Sequence, residues 1–234
     1  FGLPVMLNTV TTVYPQPAVE TPTVDGMARR TAGSESWTTL RTGAGNFSRD
    51  NQGVENGFIV RSSPTTNEYE NISRSFYLFD ASAIVDTDTI NSATLRLYST
   101  VTINNNLGGG HSAVIVTTTP ASNTAIVAAD YGQTGTVLQA PAMTLASITA
   151  SAYNTFTLNA TGLTNISKTG ITKFGMREDH DQSNTEPTWS SSQEVTWNVQ
   201  TADTADTTQD PELAVTHTAA TTGTASRMTL MGVG

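Results

Sequence analysis

The sequence predicts an all-β fold: a single jelly roll or β-sandwich with extended N- and C-terminal arms. Three observations lead there. Apolar and polar residues alternate with a period of two in one segment after another, as half-buried strands require. Glycine, asparagine, aspartate and proline punctuate these segments where short strands must turn. Helical periodicity is thin, and no shift of composition along the 234 residues marks a second folding unit.

Residues 1–22 form the expected N-terminal arm. Leu3, Val5, Leu7 and Val13 share one strand face with Thr9 and Thr11 between them, and Met6 and Val10 lie opposite. Tyr14-Pro15-Gln16-Pro17, continuing to Pro22, then makes a stiff, extended connection. Residues 23–218 are the sandwich. Val24–Arg29 and Gly57–Arg61 are its early strands, and Ser75–Phe79, apolar on both faces, is a central one. The clearest strand is Thr89–Thr102, with Ala93, Leu95, Leu97 and Val101 on one face and Thr94, Arg96, Tyr98 and Thr100 on the other. Ser112–Thr118, Tyr153–Asn159, Ile171–Arg177, Glu194–Val199 and Glu212–Thr218 follow. One short helix is expected after an Asn123 cap, through Ala125–Ala129, and a single turn over Thr161–Ser167. The core expected from these faces is Phe76, Leu78, Leu95, Leu97, Phe156, Leu158, Phe174, Trp197, Leu213 and Val215. Residues 219–234 form the C-terminal arm.

Composition narrows the partners. Only 13% of residues are charged, about half the usual share, and 43 threonines with many serines and asparagines cover the surface instead. The net charge of -9 repels phosphate backbones and anionic lipid heads, so nucleic-acid binding is not expected. No apolar run approaches the roughly 18 residues of a spanning helix, so membrane insertion is not expected either. With no cysteine there is no disulfide framework, thiolate nucleophile or cysteine-bound zinc. The start at Phe1, without an initiator methionine, is read as a mature N-terminus of a secreted, surface-exposed chain.

Two motifs in the centre carry a resemblance. Arg74-Ser75-Phe76-Tyr77-Leu78-Phe79-Asp80-Ala81-Ser82-Ala83-Ile84 is followed by Ile90-Asn91-Ser92-Ala93-Thr94-Leu95-Arg96-Leu97-Tyr98, and the module closes on Asp210-Pro211-Glu212-Leu213-Ala214-Val215-Thr216-His217. In kind, order and spacing these resemble the DNRLRE-domain family over roughly residues 24–218. Val24-Asp25-Gly26-Met27 and Gly33-Ser34-Glu35-Ser36-Trp37 stand where that family has its eponymous motif. The resemblance implies a jelly-roll module of secreted and surface proteins, often suspected of binding carbohydrate. It transfers core strands and no catalytic residues.

Candidate chemistry is sparse. No nucleophile elbow, zinc-protease helix motif or phosphate loop occurs, so no catalytic site and no enzyme is expected. Of the three histidines, His111 follows Gly108-Gly109-Gly110 in an expected flexible loop, His217 shares parity with Leu213 and Val215, and His180 lies in Arg177-Glu178-Asp179-His180-Asp181. Asp179, Asp181 and Ser183 place hard oxygens at alternate positions, a partial calcium-loop pattern that lacks the glycine and the closing glutamate; no other cofactor is expected. A sugar platform needs an exposed aromatic ring, for which Trp189 in its proline-containing loop comes first and Trp37 second, a plug over the end of the sandwich being the plainer role for Trp189. Asn46, Asn71, Asn159 and Asn165 head glycosylation triplets.

The function expected from this pattern is a non-enzymatic subunit of an extracellular or virion-surface filament, with identical subunits as partners. Leu3, Val5, Leu7 and Val13 would be donated to a neighbour's sheet edge. The arm folding back onto its own sandwich is the competing arrangement. A carbohydrate-binding or adhesive module, with glycans as partners, is the alternative function.

Overall fold

A computed structural model describes residues 7–205 and 208–220 of the chain. Leu3, Val5 and nearly all of the C-terminal arm lie outside them. Thirteen strands appear among the described residues: β1 (Asn8–Val13), β2 (Asp25–Ser36), β3 (Phe47–Arg49), β4 (Val54–Ser62), β5 (Glu68–Asp80), β6 (Thr89–Asn105), β7 (Ser112–Thr118), β8 (Thr134–Leu138), β9 (Met143–Thr144), β10 (Tyr153–Thr157), β11 (Ile171–Glu178), β12 (Glu194–Gln200) and β13 (Glu212–Thr218). Every pairing between them is antiparallel. Three short helices punctuate them: α1 (Trp37–Thr42), α2 (Ala160–Thr164) and α3 (Asp179–Ser183).

The path through the sheet runs β1-β13-β6-β12-β4-β5-β11-β7-β8. Two long strands fold this path into a sandwich. β6 pairs with β13 and β10 along its first half, then with β12 along its second, and so passes from one leaf to the other. β5 is the hub of the second leaf. Arg74 faces Ala28 of β2 on one side and Phe58 of β4 on the other, while Phe76 faces Gly26 of β2 and Gly175 of β11. β4 and β11 therefore share one edge of β5, and the sheet forks there. A strand paired along both edges and covered on both faces is withdrawn from solvent, its polar residues Asn71, Ser73, Arg74 and Ser75 included. Residues 71–79 of β5 are accordingly all buried, ending at Asp80, whose carboxylate accepts the Ser82 N–H at 3.0 Å and turns the chain.

All ten residues expected in the core are buried, from Phe76, Leu97 and Trp197 at 0% exposure to Leu158 at 6%. Val101 departs from the expected face and is 78% exposed. The reason is a bulge. Val199 of β12 faces Ser99, but Trp197, two residues away, faces Ile103, so β6 carries two extra residues here and Val101 swings outward. The helix expected at Ala125–Ala129 does not form. Asp130 instead accepts the N–H groups of Ala121 (3.0 Å) and Val127 (2.9 Å), and Asp50 accepts that of Ile126 (2.7 Å), which organises a 3₁₀ turn over Ala128–Gln133. The turn expected near Thr161 is α2, capped by Asn159, which accepts the Gly162 N–H at 2.9 Å.

One buried carboxyl sets a pH dependence. Asp25, at the start of β2, is 1% exposed and accepts the Ala202 N–H at 3.1 Å. Burial pushes its carboxyl well above the usual range, with Asp203 and Asp210 adding to the effect. A group that holds its proton more tightly when folded contributes stability below its unfolded pKa of about 4, and this is lost as pH rises towards the folded value. Asp25→Asn keeps the acceptor and removes the charge. It is expected to unfold at higher urea concentration than the parent at pH 8, with the gap closing below pH 4. A gap that widens on acidification would contradict the assignment.

Candidate functional site

A group of ionisable side chains converges where β7 and β11 meet. Their register pairs Glu178 with Ala113 and Phe174 with Thr117, which carried two residues further sets His111 opposite His180. The glycine tract makes this possible: Gly109 has φ +108°, a left-handed conformation suited to glycine, and the chain turns inward so that His111 is 3% exposed. The flexible loop expected around His111 is therefore corrected; its imidazole is packed in the interior. His217, expected to be packed, is 4% exposed and its Nδ1 lies 2.7 Å from Asp88 Oδ2.

Four groups converge at this end. His111 Nδ1 and His180 Nδ1 each lie 2.7 Å from the same oxygen, Glu178 Oε1, and His180 Nδ1 is also 3.2 Å from Asp179 Oδ1. The two rings stand 4.7 Å apart, tilted by 47°. The backbone holds these groups too: the Leu107 carbonyl lies 3.2 Å from His111 Nε2, the Asp181 N–H donates to Glu178 Oε2 (3.0 Å), and the Ser112 N–H donates to Asp179 Oδ1 (3.0 Å), the oxygen that also faces His180. Hydrogen bonds to Asp179 and Glu178 raise the His180 pKa to about 10. Burial pushes Glu178 up, against the lowering pull of both histidines. Burial also pushes at Asp179, but bonds to His180 and Glu178 win and hold it below the usual carboxylate range.

This geometry corrects the calcium expectation. Asp181 is fully buried, and its two oxygens are gripped by Arg74 Nε and Nη2 (2.8 and 2.7 Å) and by Arg177 Nε and Nη2 (2.8 and 2.8 Å). Burial would raise its pKa, yet these guanidiniums hold it at about 2. Arg41 adds a third, donating to the Asp181 carbonyl at 2.6 Å. A carboxylate shared by arginines has no lone pair to offer a cation. Ser183 is exposed and donates to Thr185, so Asp179, Asp181 and Ser183 do not converge.

The aromatic candidates for a sugar platform are also withdrawn from the surface. Trp37 opens α1 at 3% exposure and packs edge-on against Tyr69, with ring centres 5.2 Å apart. Trp189 is half-buried against the core and donates from Nε1 to the Glu68 carbonyl at 3.1 Å, while the Tyr69 hydroxyl donates to Pro187 at 2.6 Å. The loop is a plug over the end of the sandwich. Of the glycosylation candidates, Asn71 is 7% exposed between β2 and β4 and cannot carry a glycan in the folded chain. Asn159 caps α2, and Asn165 donates to the Lys173 carbonyl at 3.1 Å. Asn46 is exposed, bridging the Thr31 N–H and carbonyl.

The other candidate element is the N-terminal strand. β1 lies antiparallel on β13, from Asn8 opposite Thr218 to Val13 opposite Leu213. The arm thus folds back onto its own sandwich as an edge strand. It brings little to the interior. Val13 packs against the core and Thr11 bonds His217 (2.9 Å), but Leu7 is 77% exposed and Val10 62%. The connection after it is anchored: Pro15 is buried, the Gln16 N–H bonds Thr23 at 3.1 Å, and the Ala18 N–H bonds Asp203 at 2.7 Å.

No family model and no curated protein matches the chain. The resemblance of the central strands to the DNRLRE-domain family gains no support from these comparisons. Among the described residues no helix is long and apolar enough to cross a membrane.

Proposed function

We propose that this chain is a non-enzymatic structural subunit of an extracellular or virion-surface filament, assembled by exchange of β1 between identical neighbours. The observation that supports it is the mismatch in β1: a full ladder on β13, but one side chain in the core. Such a strand gains mainly backbone hydrogen bonds, and any copy of itself on the same β13 edge makes the same bonds. Exchange therefore costs little at equilibrium, as in domain swapping. The anchored connection moves the pivot to Tyr14-Pro15, so β1 swings as one arm. Once the arm leaves, the β13 edge must be refilled, because an open edge with Leu213 and Val215 beneath it invites aggregation. Handing the arm to the next subunit satisfies every edge in turn, and a head-to-tail contact of this kind propagates when its rotation does not close.

Deleting residues 1–13 is expected to abolish filaments seen by negative-stain microscopy of the full chain. The truncated protein should bind a synthetic peptide of residues 1–13, regain thermal stability and stay monomeric. A truncated protein that still polymerises, or a full-length chain that stays monomeric at every concentration, would overturn the mechanism.

A further inference from the structure

The structure assigns a second role to the end of the β7/β11 pair: His111, Glu178, Asp179 and His180 form a binding site for one borderline divalent transition-metal ion of the zinc class. Each of the four offers a donor atom, and these atoms all lie within 4.8 Å of one another. A tetrahedral zinc shell with bonds of about 2.0–2.2 Å separates its donors by about 3.3 Å, so the present spacings of 2.7 to 4.8 Å need only small side-chain rotations to match it. Two imidazoles and two carboxylates are the donor set that suits zinc and its neighbours better than calcium or magnesium, which prefer oxygen alone.

The hydrogen bonding points the same way. The Leu107 carbonyl takes the Nε2–H of His111, which leaves the Nδ1 lone pair aimed at Glu178 Oε1. A lone pair facing a carboxylate oxygen at 2.7 Å needs a cation between them, a proton or a metal. The second imidazole approaches the same oxygen through its own Nδ1, so two ring nitrogens and a carboxylate oxygen face one point between rings 4.7 Å apart. The backbone contacts to His111 Nε2 and Glu178 Oε2 are outer bonds of the kind that orient metal ligands in proteins. Access exists: an open cleft of about 340 Å³ is lined by Asp179 and His180 together with Gly110, Gln182, Ser183 and Thr185. A metal here would staple α3 to the start of β7, six strands along the path from the β13 edge that β1 occupies, so the site stands or falls independently of filament assembly.

The test uses the full chain without an affinity tag, stripped with chelator and titrated with zinc chloride by calorimetry. One ion per chain is expected, with a rise in the unfolding temperature, and no uptake of calcium at the same concentrations. Glu178 and His111 are buried and their variants risk misfolding, so the decisive variant is His180→Ala, whose side chain is 18% exposed. It should keep the parent circular dichroism spectrum and lose at least about 100-fold in zinc affinity. Absence of zinc binding by the full chain, unchanged affinity in His180→Ala, or a preference for calcium would each overturn the assignment.

Discussion

Replacing Asp181 by asparagine is expected to destabilise the fold by about 3–5 kcal/mol, among the largest effects of any single substitution. The size follows from what surrounds it. Arg74 and Arg177 have side-chain exposures of 5% and 3%, and both fork onto the same carboxylate. Two buried guanidiniums tolerate their desolvation because one charge and four short hydrogen bonds compensate them. Asparagine keeps the shape, but it removes the charge and turns an NH₂ group towards N–H donors. Arg74 also donates to the carbonyls of Tyr131 (2.6 Å) and Arg41 (3.0 Å), and lies over the Tyr131 ring at 3.9 Å. Losing Asp181 therefore loosens β5, α1 and the Ala128–Gln133 turn together. Urea unfolding monitored by circular dichroism measures the loss. A cost below about 1 kcal/mol would show that the arginines find other partners and that the network is not what holds these elements.

How much of this could be seen in the sequence depends on the range of the interaction involved. Strand faces are local, and Leu95 and Leu97 in β6 or Leu213 and Val215 in β13 alternate plainly enough to place the core. The apolar run of residues 76–79 marks a strand covered on both sides for the same reason. Pairing register is not local. Ser112–Thr118 and Ile171–Arg177 are visible as strands, yet nothing in either segment says that they pair so as to set His111 beside His180. The charged run at residues 177–181 looks like a solvated loop until Arg74, 107 positions away, is placed against Asp181. Short helices sit between these cases. Ser36 caps α1 by accepting the Thr39 N–H, and Trp37 and Leu40 are its buried pair at i and i+3. That signal is present in Ser36-Trp37-Thr38-Thr39-Leu40, but two apolar residues are too few to outweigh the strand pattern around them. The aromatic candidates failed for a related reason. A tryptophan in a proline-containing loop has the same local sequence whether it faces solvent or plugs the sandwich, and only the distant Glu68 carbonyl decides.

Trp197→Ala is expected to cost about 3–5 kcal/mol. Trp197 belongs to β12, between Phe58 of β4 and Ile103 of β6, at the bulge where β6 changes leaf. Its ring is fully buried and reaches Phe156 of β10 in the facing leaf, centre to centre 6.2 Å at a tilt of 40°. It therefore links the two leaves where their connection is least regular. Alanine leaves a cavity that the flanking strands cannot close, because their backbones are fixed by ladders on both sides of β12. The indole N–H also donates to Ser99 Oγ at 2.8 Å, and Ser99 is itself fully buried. Trp197→Phe separates the two contributions: it refills much of the volume but removes that donor, so about 1–3 kcal/mol is expected. Both losses should appear as a lower urea midpoint with an unchanged slope, since the same surface is exposed on unfolding. If alanine and phenylalanine cost the same, the hydrogen bond to Ser99 and not the packing across the leaves would be what Trp197 supplies. If neither moved the midpoint, β12 would not be the strand that joins them.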